Sequence, residues 1–380
     1  MAGEYIAIGK GVHAFIPDML PPRIDFDLGV IRALSDADRA VGALSSLGEL
    51  LPNPQLLITP FSRKEAVASS KIEGTQADFG QLAIFEELGR TAESSDDVRE
   101  VNNYVEALEY GLGAIHYRPV GMSLLKELHA LLMTDVRGGQ KGPGEIRTIQ
   151  NFIGSSLQRI DQARFVPPPP IVLTDLLENL ERYIQETDET PPLIRLAVAH
   201  YQFEAIHPFL DGNGRLGRLL VSLLLGQWGL LPQPLLYLSE YFDRHRDHYI
   251  DGLLKVSTEH AWNDWIIFFL NAVASQSRDA LARGRRLLGL REAYRLTYQQ
   301  GRSPRILQTV DLLFERPVVS GRRLATSLGV THQTAMAIIR KLEDDEVLVE
   351  MTGNYRNRVY AATHIFNVIT ADMTGEPEAT

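Results

Sequence analysis

The twelve residues HPFLDGNGRLGR, positions 207–218, bring together one histidine, one carboxylate, three glycines and two arginines. The segment before them, PPLIRLAVAHYQFEAI, opens on Pro192, well placed for a first helical turn. It is apolar nearly all round and reads as a central, buried helix. RLLVSLLLGQWG behind the motif reads as a second buried helix. The motif is therefore a loop between two core helices, and the fold is expected to be mainly α.

Part of the stretch, GNGRLG (212–217), matches the dinucleotide fingerprint G-x-G-x-x-G. That pattern has meaning only after a strand and inside a βαβ unit. Here a helix precedes it and Pro208 intervenes, so the match is set aside. The phosphate loop ending in Gly-Lys-Ser/Thr is absent.

The remaining chemistry points to a bound polyphosphate. Glycines let backbone N–H groups approach an anion, and the second helix, starting near Arg215, favours negative charge at its N-terminal end. Arg215 and Arg218 lie three apart on one face and can clamp successive phosphates. Asp211 would repel phosphates unless a cation bridges them, and one carboxylate plus phosphate oxygens suits Mg²⁺. His207 can take a proton from a hydroxyl. A surface turn with an Arg–Asp salt bridge and a helix-capping histidine would explain any one of these residues, but explains all of them in this order poorly.

Composition bounds the rest. The 380 residues suffice for two or three domains, 44% of them hydrophobic and 23% charged. No cysteine is present, which excludes disulfides, thiol nucleophiles and cysteine-ligated zinc. The N-terminus lacks a basic start followed by an apolar run, so no signal peptide is expected. LLVSLLLGQWGLLPQPLLYL is broken by Gln227, Pro232, Gln233 and Pro234 and reads as buried helix and turn, not as a membrane span. The expected location is the cytoplasm. The net charge of −10 opposes a general nucleic-acid coat. Residues 281–366, however, hold fourteen Arg and Lys against eight Asp and Glu, a net +6, which suggests a separate C-terminal module.

Periodicity divides the chain further. SRKEAVASSKIEG predicts a helix over about 62–74, opened by Ser62 and Glu65 as a capping box and closed by Gly74. The stretch RGGQKGPGEIRTIQNFIGSSLQRIDQARFVPPPP reads as an irregular hairpin or loop. The expected divisions are an N-terminal helical region (1–115), a core (116–275), a basic helical connector (276–302), a helix-turn-helix with a β-wing (303–366) and a disordered tail (367–380). In the C-terminal module Thr331 caps a second helix over 331–342. The strands VLVEMT and NRVYAA form the wing, with Arg356 and Arg358 able to reach phosphates.

At this point HPFLDGNGRLGR resembles the Fic family motif, His-Pro-Phe-x-Asp/Glu-Gly-Asn-Gly-Arg-x-x-Arg, at every fixed position. The resemblance covers roughly residues 50–275. It implies a Fic-type helical bundle with a short β-hairpin flap and transfer of AMP from ATP to a Ser, Thr or Tyr hydroxyl of a protein, another chain or this one. By the same resemblance His207 is the base, Asp211 the Mg²⁺ ligand, and Gly212, Asn213 and Gly214 the anion cradle. Arg215 steadies the β-phosphate side and Arg218 the γ-phosphate. Phe209 anchors the loop. GEIRTIQNFIG resembles the flap that registers a target peptide, which places Thr148, Gln150 and Ile153 there. Tyr249 is the expected adenine-stacking partner. A homodimer is expected by the same likeness.

SSKIEG (69–74) resembles the family's inhibitory motif through Ser69, Glu73 and Gly74. The likeness implies that Glu73 pairs with Arg218 and takes the γ-phosphate's place. Two other readings compete with a self-inhibited transferase. One is removal of AMP by the same site. The other is a DNA-binding regulator whose Fic domain senses nucleotide; in it the winged helix contacts DNA.

Overall fold

The computed structural model describes residues 2–9, 11–51, 53–89, 95–154, 159–186, 189–299, 304–353 and 357–371. The chain opens on an antiparallel hairpin, β1 (Gly3–Gly9) and β2 (Val12–Pro17). This hairpin lies within the N-terminal helical region (1–115) expected from sequence, which included no strands. The alternation in EYIAIG and VHAFIP around Gly9 and Gly11 is its signal.

Helices follow: α1 (Leu28–Leu50), α2 (Gln55–Ile72), α3 (Phe79–Leu88), α4 (Asp96–Ala114) and α5 (Met122–Leu132). After the flap come α6 (Leu173–Gln185), α7 (Pro192–Ile206), α8 (Asn213–Gln227), α9 (Ser239–Arg244), α10 (Arg246–Glu259) and α11 (Trp262–Gln299). The C-terminal region holds α12 (Pro304–Glu315), β3 (Val318–Ser320), α13 (Gly321–Leu328), α14 (His332–Asp344), β4 (Val349–Glu350), β5 (Val359–Ala361) and α15 (Thr363–Thr370). Its three strands run antiparallel in the order β3-β5-β4.

Helix α7 is the centre of the bundle: every residue from Leu193 to Ile206 is buried except Glu204. Polar stitches fix its neighbours. His200 reaches the Gly217 carbonyl of α8 (3.1 Å) and the Tyr249 hydroxyl of α10 (2.9 Å), and Trp265 Nε1 of α11 donates to Ala197 O (2.9 Å). Among the described residues no helix is long and apolar enough to cross a membrane.

Three boundaries differ from expectation. Helix α2 starts at Gln55, not near 62, so Ser62 lies inside it and donates to Thr59 O (2.9 Å). Glu65 is no capping residue but a buried acceptor for Ser239 N (3.1 Å) and the Tyr104 hydroxyl (3.1 Å). Core and connector form one continuous 38-residue helix, α11, with no break at 275. The tail expected to be disordered from 367 is helical to Thr370, where Arg283 donates to the carbonyls of Val368 (2.8 Å) and Ile369 (3.0 Å). Residues 372–380 and Arg356 lie outside the described residues.

Candidate active site

The motif forms the turn between α7 and α8. His207 ends α7 in the left-handed region (φ 51°, ψ 61°), and its N–H donates to Phe203 O (3.0 Å). Its Nδ1 lies 3.3 Å from the Glu204 carbonyl, which can only accept. The proton therefore sits on Nδ1 and the lone pair on Nε2. Burial pushes the His207 pKa down to about 4, although the Glu204 carbonyl and the nearby Glu73 and Asp211 carboxylates oppose it. The imidazole is neutral at pH 7 and able to accept a proton.

Phe209 is fully buried and stacks on His129 (ring centroids 3.9 Å apart). His129 accepts from Gly144 N through Nδ1 (2.8 Å), so its Nε2–H donates to Asp211 O (2.9 Å). Gly212 precedes α8 as its N-cap at φ +75°, and a Cβ there would meet Met133 Sδ at 2.8 Å. Both the backbone and the space therefore require glycine. Asn213 bonds the Phe209 backbone twice, accepting from N (2.9 Å) and donating to O (2.8 Å). Its side chain thus holds the loop and is not part of an anion cradle. The Gly212 amide is taken by Asp211 Oδ1 (2.8 Å). The first turn of α8, at Asn213 and Gly214, presents the backbone N–H groups that a helix start leaves outside its own ladder.

The two arginines diverge. Arg215 is buried against Glu100 of α4 (3.2 Å), with both side chains 4% exposed, and touches Met133 Sδ (3.5 Å). This corrects its expected place as a partner of Arg218 on the phosphates: α4 has claimed it. Arg218, 2% exposed, turns to α2. Its Nε donates to Ser69 Oγ (2.8 Å), and its NH2 donates to Ser69 O (2.8 Å) and Glu73 Oε1 (2.7 Å). Glu73 caps α2, and Gly74 follows at φ +98°. A Cβ on Gly214 would meet Glu73 Oε1 at 2.3 Å, so the carboxylate lies directly over the first turn of α8. Burial would raise the Glu73 pKa, but Arg218, joined by Arg215, outweighs it and holds the carboxyl below its ordinary range.

Asp211 Oδ2 carries the Lys141 ammonium (2.7 Å). Among the described residues no cluster of three or more metal-ligating side chains exists. A Mg²⁺ held by this single carboxylate, with phosphates and water as its other ligands, would have to take Oδ2 from Lys141.

The flap is thinner than a hairpin of full strands. Ile153 pairs with Phe165 in an isolated bridge, and β2 supports the return arm through Phe15 N to Val166 O (2.9 Å). Thr148 is exposed. Gln150 folds back to donate to Asn151 O (3.0 Å) and Pro167 O (2.9 Å). Residues 155–158 at the tip lie outside the described residues. Tyr249 is not at the surface: it is 3% exposed, stacks on Phe242 (4.5 Å) and holds His200. Its ring has no face left for a base, which corrects its expected role. An apolar cavity lies beside it instead, lined by Ile153 and Phe165 of the flap, Tyr201 and Glu204 of α7, and Ile250 and Leu253 of α10. The Arg164–Asp251 ion pair ties the flap to α10 beside this cavity.

Sequence reasoning missed Arg147. It is 3% exposed and donates through Nε to His207 O (2.9 Å) and through its backbone N to Pro208 O (3.0 Å), fixing the end of α7. It adjoins Thr148, yet an arginine in a loop carries no local sign of burial.

A helical bundle with a histidine at the exit of its central helix and an arginine-lined helix start beyond is the Fic-type architecture. The structure superposes on a Fic family protein from Desulfovibrio desulfuricans G20 with a TM-score of 0.56, covering 94% of this chain and 100% of that one at 19% identity. It also superposes on Fic-1 from C. elegans, with a TM-score of 0.51, 70% and 74% coverage and 21% identity. Two family models match in tandem, the Fic/DOC family N-terminal region over residues 31–113 and the Fic/DOC family over residues 119–225. Together they span half the chain, and the chain belongs to the Fic/DOC family. Relatives include a protein adenylyltransferase of Caenorhabditis briggsae, 31% identical over 173 residues, which are 42% of this chain and 31% of that protein. A probable protein adenylyltransferase of Aquifex aeolicus is 35% identical over 91 residues, 24% of this chain and 26% of that one. The chain thus spans about a third or less of the length of these relatives.

Proposed function

We propose that the protein transfers AMP from ATP to a Ser, Thr or Tyr hydroxyl of a protein and that Glu73 restrains the reaction. The observation that carries this reading is the Arg218 guanidinium held by Ser69 and Glu73 above the first turn of α8. That turn is where a triphosphate would seat its negative oxygens. A carboxylate there takes the arginine's charge and repels the anion. With Glu73 displaced, Arg218 is available to the terminal phosphate. His207 Nε2 then takes the proton of the hydroxyl as its oxygen attacks the α-phosphorus. The bond from the α-phosphorus to the bridging oxygen breaks and pyrophosphate leaves, while the Asn213 and Gly214 amides hold the phosphate oxygens. Mg²⁺ held by Asp211 would neutralise charge on the α- and β-phosphates. The apolar cavity beside the flap is the seat for the base.

Labelling with ATP carrying ³²P at the α-phosphate tests the proposal. Glu73→Gly is expected to label protein at least tenfold faster than wild type, and Glu73→Gly with His207→Ala to abolish the label. Equal labelling by wild type and Glu73→Gly would sink the restraint. Labelling by the double variant would sink the base.

A second reading has one observation in its favour: Glu73 lies close enough to His207 to raise its proton affinity. A carboxylate so placed can orient a water against an AMP-modified hydroxyl. Release of AMP from modified target by wild type, but not by Glu73→Gly, would select it.

A further inference from the structure

Glu204 is the one residue of α7 after Pro192 that the bundle does not bury, and its carboxyl is oddly housed. Oε1 is shielded from solvent and has no hydrogen-bond partner among the described residues. It rests against α8 so closely that a Cβ on Gly217 would lie 2.1 Å away. The same side chain lines the apolar cavity between flap, α7 and α10. A buried carboxyl without a partner costs stability and calls for a ligand to complete it. Burial drives its pKa up to about 7 against the pull of Arg218. Neutral or charged, it has an acceptor to offer.

The order of groups along the site indicates which ligand group meets it. Arg218 and the start of α8 mark the phosphate end. The hydrophobic wall of Ile153, Phe165, Ile250 and Leu253 marks the base end. Glu204 stands between them, against the residue preceding Arg218. In a nucleotide the group between phosphate and base is the sugar. We propose that Glu204 is a specificity-determining residue that accepts a hydrogen bond from the ribose hydroxyls of the bound nucleotide. This rests on the nucleotide reading of the site given above.

Equilibrium titration calorimetry tests it without requiring turnover. The proteins are Glu73→Gly and Glu73→Gly combined with Glu204→Ala or Glu204→Gln; the probes are ATP and 2′,3′-dideoxyATP, each with Mg²⁺. The parent is expected to bind ATP about tenfold more tightly than the dideoxy nucleotide, the scale of one hydrogen bond to a buried polar group. Glu204→Ala is expected to erase that preference by weakening ATP alone, and Glu204→Gln, which keeps an acceptor, to retain part of it. Unchanged dideoxyATP binding shows that the variant is folded. Equal weakening of both nucleotides, or no preference in the parent, overturns the role of Glu204 and leaves the nucleotide reading standing. No binding of either nucleotide by the parent overturns both.

Discussion

Glu73 Oε1 and Arg218 NH2 lie 2.7 Å apart although 145 residues separate them in the chain. Arg218 is almost wholly enclosed, whereas the Glu73 side chain is 40% exposed. The pair is thus anchored on one side only, and the carboxylate is the partner able to leave. Glu73→Gln keeps the shape and a hydrogen-bond acceptor but removes the charge. It is expected to raise apparent ATP affinity about tenfold, the scale of a charged hydrogen bond exchanged for a neutral one. Fluorescence titration with an ATP analogue reads this directly, and an unchanged affinity would place the restraint elsewhere.

Acid should affect activity late. An ordinary histidine loses its base form below about pH 6.5. Burial holds His207 near 4, and Glu73 works against that shift, so removing Glu73 moves it lower still. In Glu73→Gly the acid limb of the transfer rate should therefore fall at or below pH 4, not near 6.5. The same depression acts on folding. His200, near 3, and His207 are neutral when folded but bind protons once unfolded below about 6.5. Their contribution to stability is complete above that pH and is lost as pH falls towards the folded values. Urea midpoints between pH 7 and 4 should decline; a flat profile would contradict the depressed pKa of both rings.

Glu100 is the stabilising partner of Arg215 and also receives Arg137 (3.0 Å). Glu100→Ala leaves a buried guanidinium without its carboxylate. The expected loss is about 3–5 kcal/mol of stability, measurable as a lower denaturant midpoint. If Arg215 served phosphate instead, freeing it from Glu100 would raise affinity for ATP, as expected for Arg218 without the Glu73 charge.

Tyr249→Phe tests the placement of that ring in the core. The variant removes the partner of His200 Nε2, which lies within an aromatic cluster with Phe242 and Trp265. Stability should fall by about 1–3 kcal/mol. Nucleotide affinity should not change, because the ring face that a base would need already rests on Phe242. A selective loss of adenine nucleotide affinity in Tyr249→Leu, which removes the ring itself, would restore the stacking role.

The motif was legible because its constraints are local. Asn213 reaches only four residues back to Phe209, and Gly212 answers to its own backbone angle. Roles that depend on distant partners were not legible. Nothing within HPFLDGNGRLGR tells Arg215 from Arg218; Glu100 and Ser69, on separate helices, make them different. Tyr249 sits on α10, and only the packing of α7 against α10 shows that its side is the inner one. The N-terminal hairpin was readable from alternation, but a short period-two run before a long helical chain is easily absorbed into it. Continuity of α11 was hidden because its exposed face changes from neutral to basic near residue 278 without any helix-breaking residue.

That continuity sets the size of what can fold. Beyond residue 275, α11 still buries Ala280, Arg283, Gly284 and Leu287, and a Cβ on Gly284 would meet Leu47 of α1 at 2.6 Å and Leu57 of α2 at 3.0 Å. A protein shortened at 275 would keep every residue of the motif yet strip one wall from the helix that presents Ser69 and Glu73. Its bare apolar flank would invite aggregation. The smallest fragment that keeps this chemistry intact is therefore fixed by the far end of a helix that contributes nothing to the reaction.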